Sequence, residues 1–286
     1  MSATPRTPEP FTVEGHDGGR VAALLWDSGG GPGTLLIHAT GFCKEVWAPV
    51  VVATGGAGPI AALDQRGHGD SSPIHAPFDW WDLGRDALDV LDRLGWTAAV
   101  GVGHSSGAAA LVMAELLRPG TLRAMVLVEP IVFPGPPYVR MEENPMSAGA
   151  LRRRATFPSS EAVVDSYRGR GPFAHWDDRV LRAYATHGFR ADGAGGWTLK
   201  CAPEQEAEFY RGATLHGVWS RLGEVAIPVL VVGGAASTSH TPDFLRLQAE
   251  QFPQASVRIV DGASHFLPME RVGLMAEIVG RVSESG

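Results

Sequence analysis

At 286 residues, 44% of them hydrophobic, the chain can bury a large core and fits one α/β domain with an insertion better than two independent domains. A net charge of −7, with basic residues scattered apart from Arg152-Arg153-Arg154, argues against nucleic acid as a partner, and that triplet reads as a solvated face. No apolar run reaches the length of a membrane span, the first ten residues lack a signal-peptide core, and Cys43, Cys201 and the scattered histidines show no disulfide or metal-ligand spacing, so the expectation is a cytoplasmic protein without metal or cofactor.

Residues 1–9 read as a loose tail. Phe11 to Glu14 and Arg20 to Trp26 alternate as an antiparallel hairpin across Asp17-Gly18-Gly19. Thr34 to His38 is a buried strand, Lys44 to Ala53 a helix, and Pro59 to Leu63 a strand that ends at Asp64-Gln65-Arg66-Gly67-His68-Gly69-Asp70-Ser71. Residues 79–94 are amphipathic at helical period, Ala98 to Val102 is a strand, Ser106 to Leu117 a helix, and Leu122 to Val128 a strand ending at Glu129-Pro130. From Ile131 to about Thr214 the pattern changes to Pro, Gly, Arg and aromatic residues with short helices at Ser160 to Tyr167 and Asp178 to His187. No buried strand is legible there. The expected organisation is a core of residues 1–130 and 215–286 with a helical cap, or lid, of residues 131–214 over the sheet edge. Alternation resumes with strands at Val229 to Val232 and Ser256 to Val260 and helices at Thr241 to Gln251 and Pro268 to Arg281, which implies a parallel sheet with ligands at its C-terminal edge.

The stretch Gly103-His104-Ser105-Ser106-Gly107 is a G-x-S-x-G pattern between a strand and a helix. In a chain with 36 glycines the bare pattern is a weak signal, and the strand-turn-helix context is what strengthens it. Gly103 and Gly107 leave room for a sharp turn that holds Ser105 exposed at the sheet edge, with the first amides of the helix aimed at whatever it attacks.

Together with Leu36-Ile37-His38-Ala39-Thr40-Gly41 and Trp47, the Asp64 to Gly69 segment, and Gly262-Ala263-Ser264-His265-Phe266, this order of motifs resembles the α/β-hydrolase fold family over nearly the whole chain outside the cap. The resemblance implies a mostly parallel eight-stranded sheet with helices on both faces and, among cap-bearing members, esterases, lactonases, C–C bond hydrolases, epoxide hydrolases and haloalkane dehalogenases. A serine nucleophile points to acyl transfer, with Ser105 attacking and His265 as its base, while His38 and His68 belong to loop scaffolding and His104 faces away from the site. The chain departs from the family where most members carry an acid after the strand at Val229 to Val232, since it reads Gly234-Ala235-Ala236-Ser237 there. Glu129, at the end of the strand after the nucleophile helix, is the expected acid, with Asp243 as the alternative. The Ser106 amide is the first expected oxyanion donor and Thr40 the second, with Gly41 and Phe42 open because Ala39 replaces a glycine of the usual His-Gly-x loop.

Phe42, Phe133, Tyr138, Trp176 and Phe266 are aromatic candidates for lining a pocket, and Cys43 reads as packing. The expected protein is a serine hydrolase, a monomer or homodimer, acting on an ester, lactone or related carbonyl bond of a small, fairly apolar molecule. The competing readings are C–C bond hydrolysis of a diketone and a receptor-like relative with little turnover.

Overall fold

A computed structural model describes residues 7–27, 29, 33–56, 58–135 and 144–284. The N-terminal hairpin pairs β1 (Glu9–Glu14) with β2 (Arg20–Trp26), Phe11 opposite Ala23. The sheet continues through β3 (Thr34–Ile37), β4 (Ile60–Leu63), β5 (Ala99–His104), β6 (Leu122–Val128), β10 (Val229–Gly234) and β11 (Ala255–Val260), in the order β1-β2-β4-β3-β5-β6-β10-β11. Only the β1-β2 and β2-β4 pairs are antiparallel, and the rest are parallel. Strand order reverses between β3 and β5, so the connections leaving their C-terminal ends run to opposite faces of the sheet, the arrangement that opens a crevice for ligands. β5 is buried at all six positions, which is why it reads as an unbroken apolar run rather than an alternation.

Helices cover both faces. On one, α2 (Trp81–Leu94), α3 (Ser106–Leu117) and α8 (Pro242–Ala249) pack against Leu35, Leu63, Met125, Leu127 and Val231. On the other, α1 (Ala48–Ala53) and α10 (Val272–Glu284) bury Val50, Met275, Ile278 and Val279 against Leu36, Val102 and Val128. The two faces thus hold separate apolar layers. α3 is buried from Ser106 to Leu116, and its small alanines let it lie close to the sheet. Among the described residues, no helix is long and apolar enough to cross a membrane.

Two expected helices are interrupted. Residues 44–53 begin with a tight 3-10 turn, Lys44–Trp47, before α1, and the C-terminal helix breaks at Arg271 into α9 (Leu267–Glu270) and α10. The segment between β6 and β10 is a larger correction. It holds α4 (Pro145–Leu151), α5 (Ser160–Tyr167), α6 (Asp178–His187) and α7 (Pro203–Gly212), but also a small antiparallel sheet of β7 (Thr156–Phe157), β8 (Phe189–Ala191) and β9 (Trp197–Leu199) with β9 in the centre. Strands of two or three residues are too short to show a period of two, so a purely helical insertion was the natural reading. Phe157, Phe189 and Leu199 turn inward from this sheet onto Val163 and Tyr184.

The glycines around Ser105 are sterically required. A Cβ on Gly107 would lie 2.4 Å from the Ile37 carbonyl oxygen and 2.6 Å from that of His38, both backbone atoms that cannot move aside independently. Gly107→Ala is expected to lower stability by more than about 2 kcal/mol, read as the midpoint of urea unfolding; a midpoint like that of the parent would contradict this account of the turn.

Candidate active site

Ser105 stands between β5 and α3 in a strained conformation, φ 56° and ψ −112°, and is almost fully buried. Its amide donates to Val128 O at 2.8 Å and its carbonyl accepts from the Ile131 amide at 3.2 Å, so the turn is fastened to the end of β6 on both sides. Glu129, the next residue after β6, also has a positive φ, 46°. Ser105, Glu129 and Ala98 are the non-glycine residues with positive φ among the described residues, and two of the three lie at this sheet edge.

The Glu129 carboxylate is fully buried and satisfied on all sides. Oε1 accepts from the Gly234 amide at 2.9 Å, and Oε2 from the Ser237 hydroxyl at 2.7 Å and from His265 Nδ1 at 2.6 Å. Burial alone would raise its pKa, but the hydrogen bond and charge of His265 and the donors Gly234 and Ser237 together hold it below the ordinary glutamate value. Because the carboxylate accepts from Nδ1, that nitrogen carries the proton of a neutral His265 and leaves Nε2 with the lone pair. The His265 carbonyl is in turn held by His104 Nε2 at 2.9 Å, which ties the His265 loop to the serine turn. The alternative acid, Asp243, lies on the first turn of α8, where its carboxylate, 95% exposed, meets Arg246 at 2.7 Å.

The loop after β3 is braced by neutral, buried imidazoles. His38 Nδ1–H donates to the Ala39 carbonyl at 2.7 Å, and its Nε2 accepts from the Gln65 amide at 3.1 Å. His68 Nδ1–H donates to the Arg66 carbonyl at 3.0 Å, and its Nε2 accepts from the Gly41 amide at 2.8 Å. Gln65 Nε2 bridges the His38 carbonyl and the Ser106 hydroxyl at 2.6 and 3.0 Å, locking the loop to the start of α3. Of the three amides left open for the second oxyanion donor, that of Gly41 is thus engaged by His68 and that of Phe42 by the Ala39 carbonyl at 3.3 Å. The amides of Thr40 and Ser106 have no hydrogen-bond partner among the described residues.

Phe42, Trp176 and Phe266 come together with Tyr184, the Phe42 ring lying 5.1, 6.1 and 5.4 Å from Trp176, Phe266 and Tyr184, and Phe266 sits 5.3 Å from the His265 ring. Trp176 Nε1 and the Tyr167 hydroxyl are buried there without hydrogen-bond partners among the described residues. Phe133 is apart from these four rings, stacked on Phe244 at 5.6 Å and against His240 at 5.7 Å. Tyr138 lies outside the described residues. The cap is tied to the site loop by the Tyr184 hydroxyl, which donates to the Gly41 carbonyl at 2.9 Å, and Tyr184 is held within the cap by Arg153, which also pairs with Glu206 at 2.8 Å. Cys43 and Cys201 are buried, and burial pushes both thiols well up, away from nucleophilic thiolates.

Sequence reasoning missed Ser237, Ser239 and His240, all on the loop between β10 and α8. Ser239 Oγ lies 3.2 Å from His265 Nδ1 and 3.1 Å from His240 Nδ1, and the buried His240 stacks on His265 at 5.6 Å. The replaced family aspartate was the available signal, since a vacated acid position beside a relocated carboxylate is where new hydrogen-bond donors are needed.

The chain belongs to the alpha/beta hydrolase family, whose model matches residues 34–278, and so to the hydrolase class of enzymes. It is similar to the 2-(acetamidomethylene)succinate hydrolase of Mesorhizobium japonicum, 27% identical over 252 residues, or 88% of this chain and 87% of that protein. Among solved structures, that of an E-2-(acetamidomethylene)succinate hydrolase superposes with a TM-score of 0.80 at 23% identity, covering 96% of this chain and 98% of that one. The enol-lactonase of Burkholderia xenovorans LB400 superposes with a TM-score of 0.71 at 20% identity, covering 94% and 98%. At these identities the structural likenesses speak to the fold.

Burial holds His68, His216 and His240 at pKa values of about 4, against an ordinary 6.5. The unfolded chain takes up these protons as pH falls through 6.5 while the folded chain refuses them until about 4, so the stability present above 6.5 drains away between those values. The melting temperature is expected to fall steadily from pH 7 to pH 4.5 in a circular-dichroism series, and a flat profile would contradict this.

Proposed function

We propose that the protein is a serine hydrolase that cleaves an ester, lactone or related carbonyl bond of a small, fairly apolar substrate through an acyl-enzyme on Ser105. The observation that carries this reading is the 2.6 Å contact between the buried Glu129 carboxylate and His265 Nδ1, beside a serine held on a strained turn. With Nδ1–H committed to Glu129, the Nε2 lone pair of His265 is left to take the Ser105 proton as Oγ attacks the carbonyl carbon. Negative charge then develops on the carbonyl oxygen, and the unengaged Ser106 and Thr40 amides are the donors suited to it. His265 passes its proton to the leaving group, whose bond to the acyl carbon breaks. Water, deprotonated by His265, then attacks the acyl-enzyme and frees Ser105. Glu129 stays ionised throughout and stabilises the imidazolium, which its depressed pKa favours.

The substrate class follows from the residues near the serine turn. Phe42, Trp176 and Phe266 pack together beside His265 as an aromatic surface, which supports an apolar substrate. Among the described residues, Arg153 is a cap cation beside the Gly41 loop, and its charge is already balanced by Glu206. That pairing favours an uncharged molecule over the dicarboxylate named for the Mesorhizobium relative.

A short-chain p-nitrophenyl ester series, run with the wild type and Ser105→Ala, tests the reading. Turnover lost in the variant, together with a fluorophosphonate label mapped to Ser105 by mass spectrometry, is the expected result. Absence of both turnover and label in the wild type would overturn it.

A further inference from the structure

His240 takes no part in the proposed hydrolysis, yet it is fully buried within the same cluster. Its tautomer follows from its surroundings. Nε2 lies 3.0 Å from the Pro130 carbonyl, which can only accept, so Nε2 carries the proton and Nδ1 presents a lone pair. That lone pair faces Ser239 Oγ at 3.1 Å and Glu129 Oε2 at 3.5 Å, while His265 Nδ1 meets the same two oxygens at 3.2 and 2.6 Å. Two imidazole nitrogens and a carboxylate oxygen therefore converge within 4.8 Å of one another.

We propose that Glu129 Oε2, His240 Nδ1 and His265 Nδ1 form an inhibitory binding site for zinc, with the Ser239 hydroxyl or a water as fourth ligand. Tetrahedral zinc with bonds of about 2.0–2.2 Å needs ligand separations of roughly 3.3–3.6 Å. The contacts of 3.1, 3.2 and 3.5 Å are already near that, and the 2.6 Å contact between His265 and Glu129 must widen. Two histidines and a carboxylate are a donor set that zinc favours over calcium or magnesium. The Nε2–H bond of His240 to a backbone carbonyl is the outer support that orients a ligating imidazole and raises its basicity. Entry is open on one side, because Ser239 is exposed and the His265 side chain is 21% exposed.

Binding blocks catalysis by moving one proton. When zinc takes His265 Nδ1, the proton there passes through solvent to Nε2, the ring stays neutral, and no lone pair remains to accept the Ser105 proton. Nothing is oxidised or reduced. Among the described residues, His16 joins two further groups, one with Asp86 and Asp89 and one with Asp17 and Asp82, but Arg66 and Arg85 already neutralise Asp17, Asp82 and Asp86, which makes His16 the control.

The test is calorimetric titration of zinc into the chelator-treated full chain, compared with His240→Gln, His265→Gln and His16→Gln. A parallel zinc titration of ester hydrolysis and of fluorophosphonate labelling is run on the wild type and His240→Gln. The expected result is one site weakened at least about tenfold by either active-site substitution and unchanged by His16→Gln. Zinc is also expected to slow wild-type hydrolysis and labelling, reversibly by chelator, with the inhibition constant raised to match in His240→Gln relative to that variant's own zinc-free rate. His265→Gln, altering a partly exposed ligand, keeps the question open to a decisive answer should His240→Gln fail to fold. Binding unchanged in the active-site variants, or zinc bound at the site with labelling at full rate, would overturn the proposal. The inhibition rests on the serine-hydrolase reading but the binding does not: an inactive protein whose zinc site depends on His240 sinks only that reading, and an active enzyme whose zinc affinity ignores His240 sinks only this one.

Discussion

A carboxylate with no exposure to water has to be compensated where it stands, and the sheet edge of this protein is arranged around that requirement at Glu129. Its three donors come from the end of β10, from the loop directly after it and from the His265 loop, so one buried charge joins the residue after β6 to two other stretches far from it in sequence. The glycines at the end of β10 permit the approach. A Cβ on Gly233 would lie 2.2 Å from Leu245 Cδ1 and 3.2 Å from Glu129 Cγ, and one on Gly234 would lie 2.1 Å from the Ala263 carbonyl oxygen. The positive φ of Glu129, at a cost of order 1–3 kcal/mol, is repaid by the contacts that fix it.

The same economy governs the facing loop. His38 and His68 stay neutral because burial disfavours their charged forms, and a neutral imidazole can donate from one nitrogen while accepting at the other. Each therefore ties two backbone segments together, and the loop from His38 to Phe42 is held rigid against Gln65 and α3. That rigidity leaves the Thr40 and Ser106 amides unspent. The cap reaches this loop through the Tyr184 hydroxyl, so a change in cap position would be felt at Gly41, next to Thr40.

How much of this was legible depended on the length of the signal. Strands of four to seven residues and most helices of eight or more carried their period in the chain, and α5 and α6 have the bounds their spacing implies, whereas the ten-residue α7 was not legible as a helix. The three cap strands carried none, and the break at Arg271 left no mark because the apolar pattern runs through it. The serine turn and His265 stood out because small and catalytic residue types cluster there. Glu129 was legible only by combining a missing acid after β10 with a glutamate at the end of β6. Its backbone strain and the donors Ser237, Ser239 and His240 were not legible, because they belong to a polar loop whose partners are fixed only by the fold.

On the proposed reading, Glu129, the residue after β6, and not Asp243 on α8, orients His265. Single-turnover acylation by a p-nitrophenyl ester, compared among the wild type, Glu129→Gln and Asp243→Asn, tests it most directly. A loss of roughly two to four powers of ten in Glu129→Gln, with Asp243→Asn close to the wild type, is the outcome predicted. Near-normal acylation in Glu129→Gln with a large loss in Asp243→Asn would contradict it.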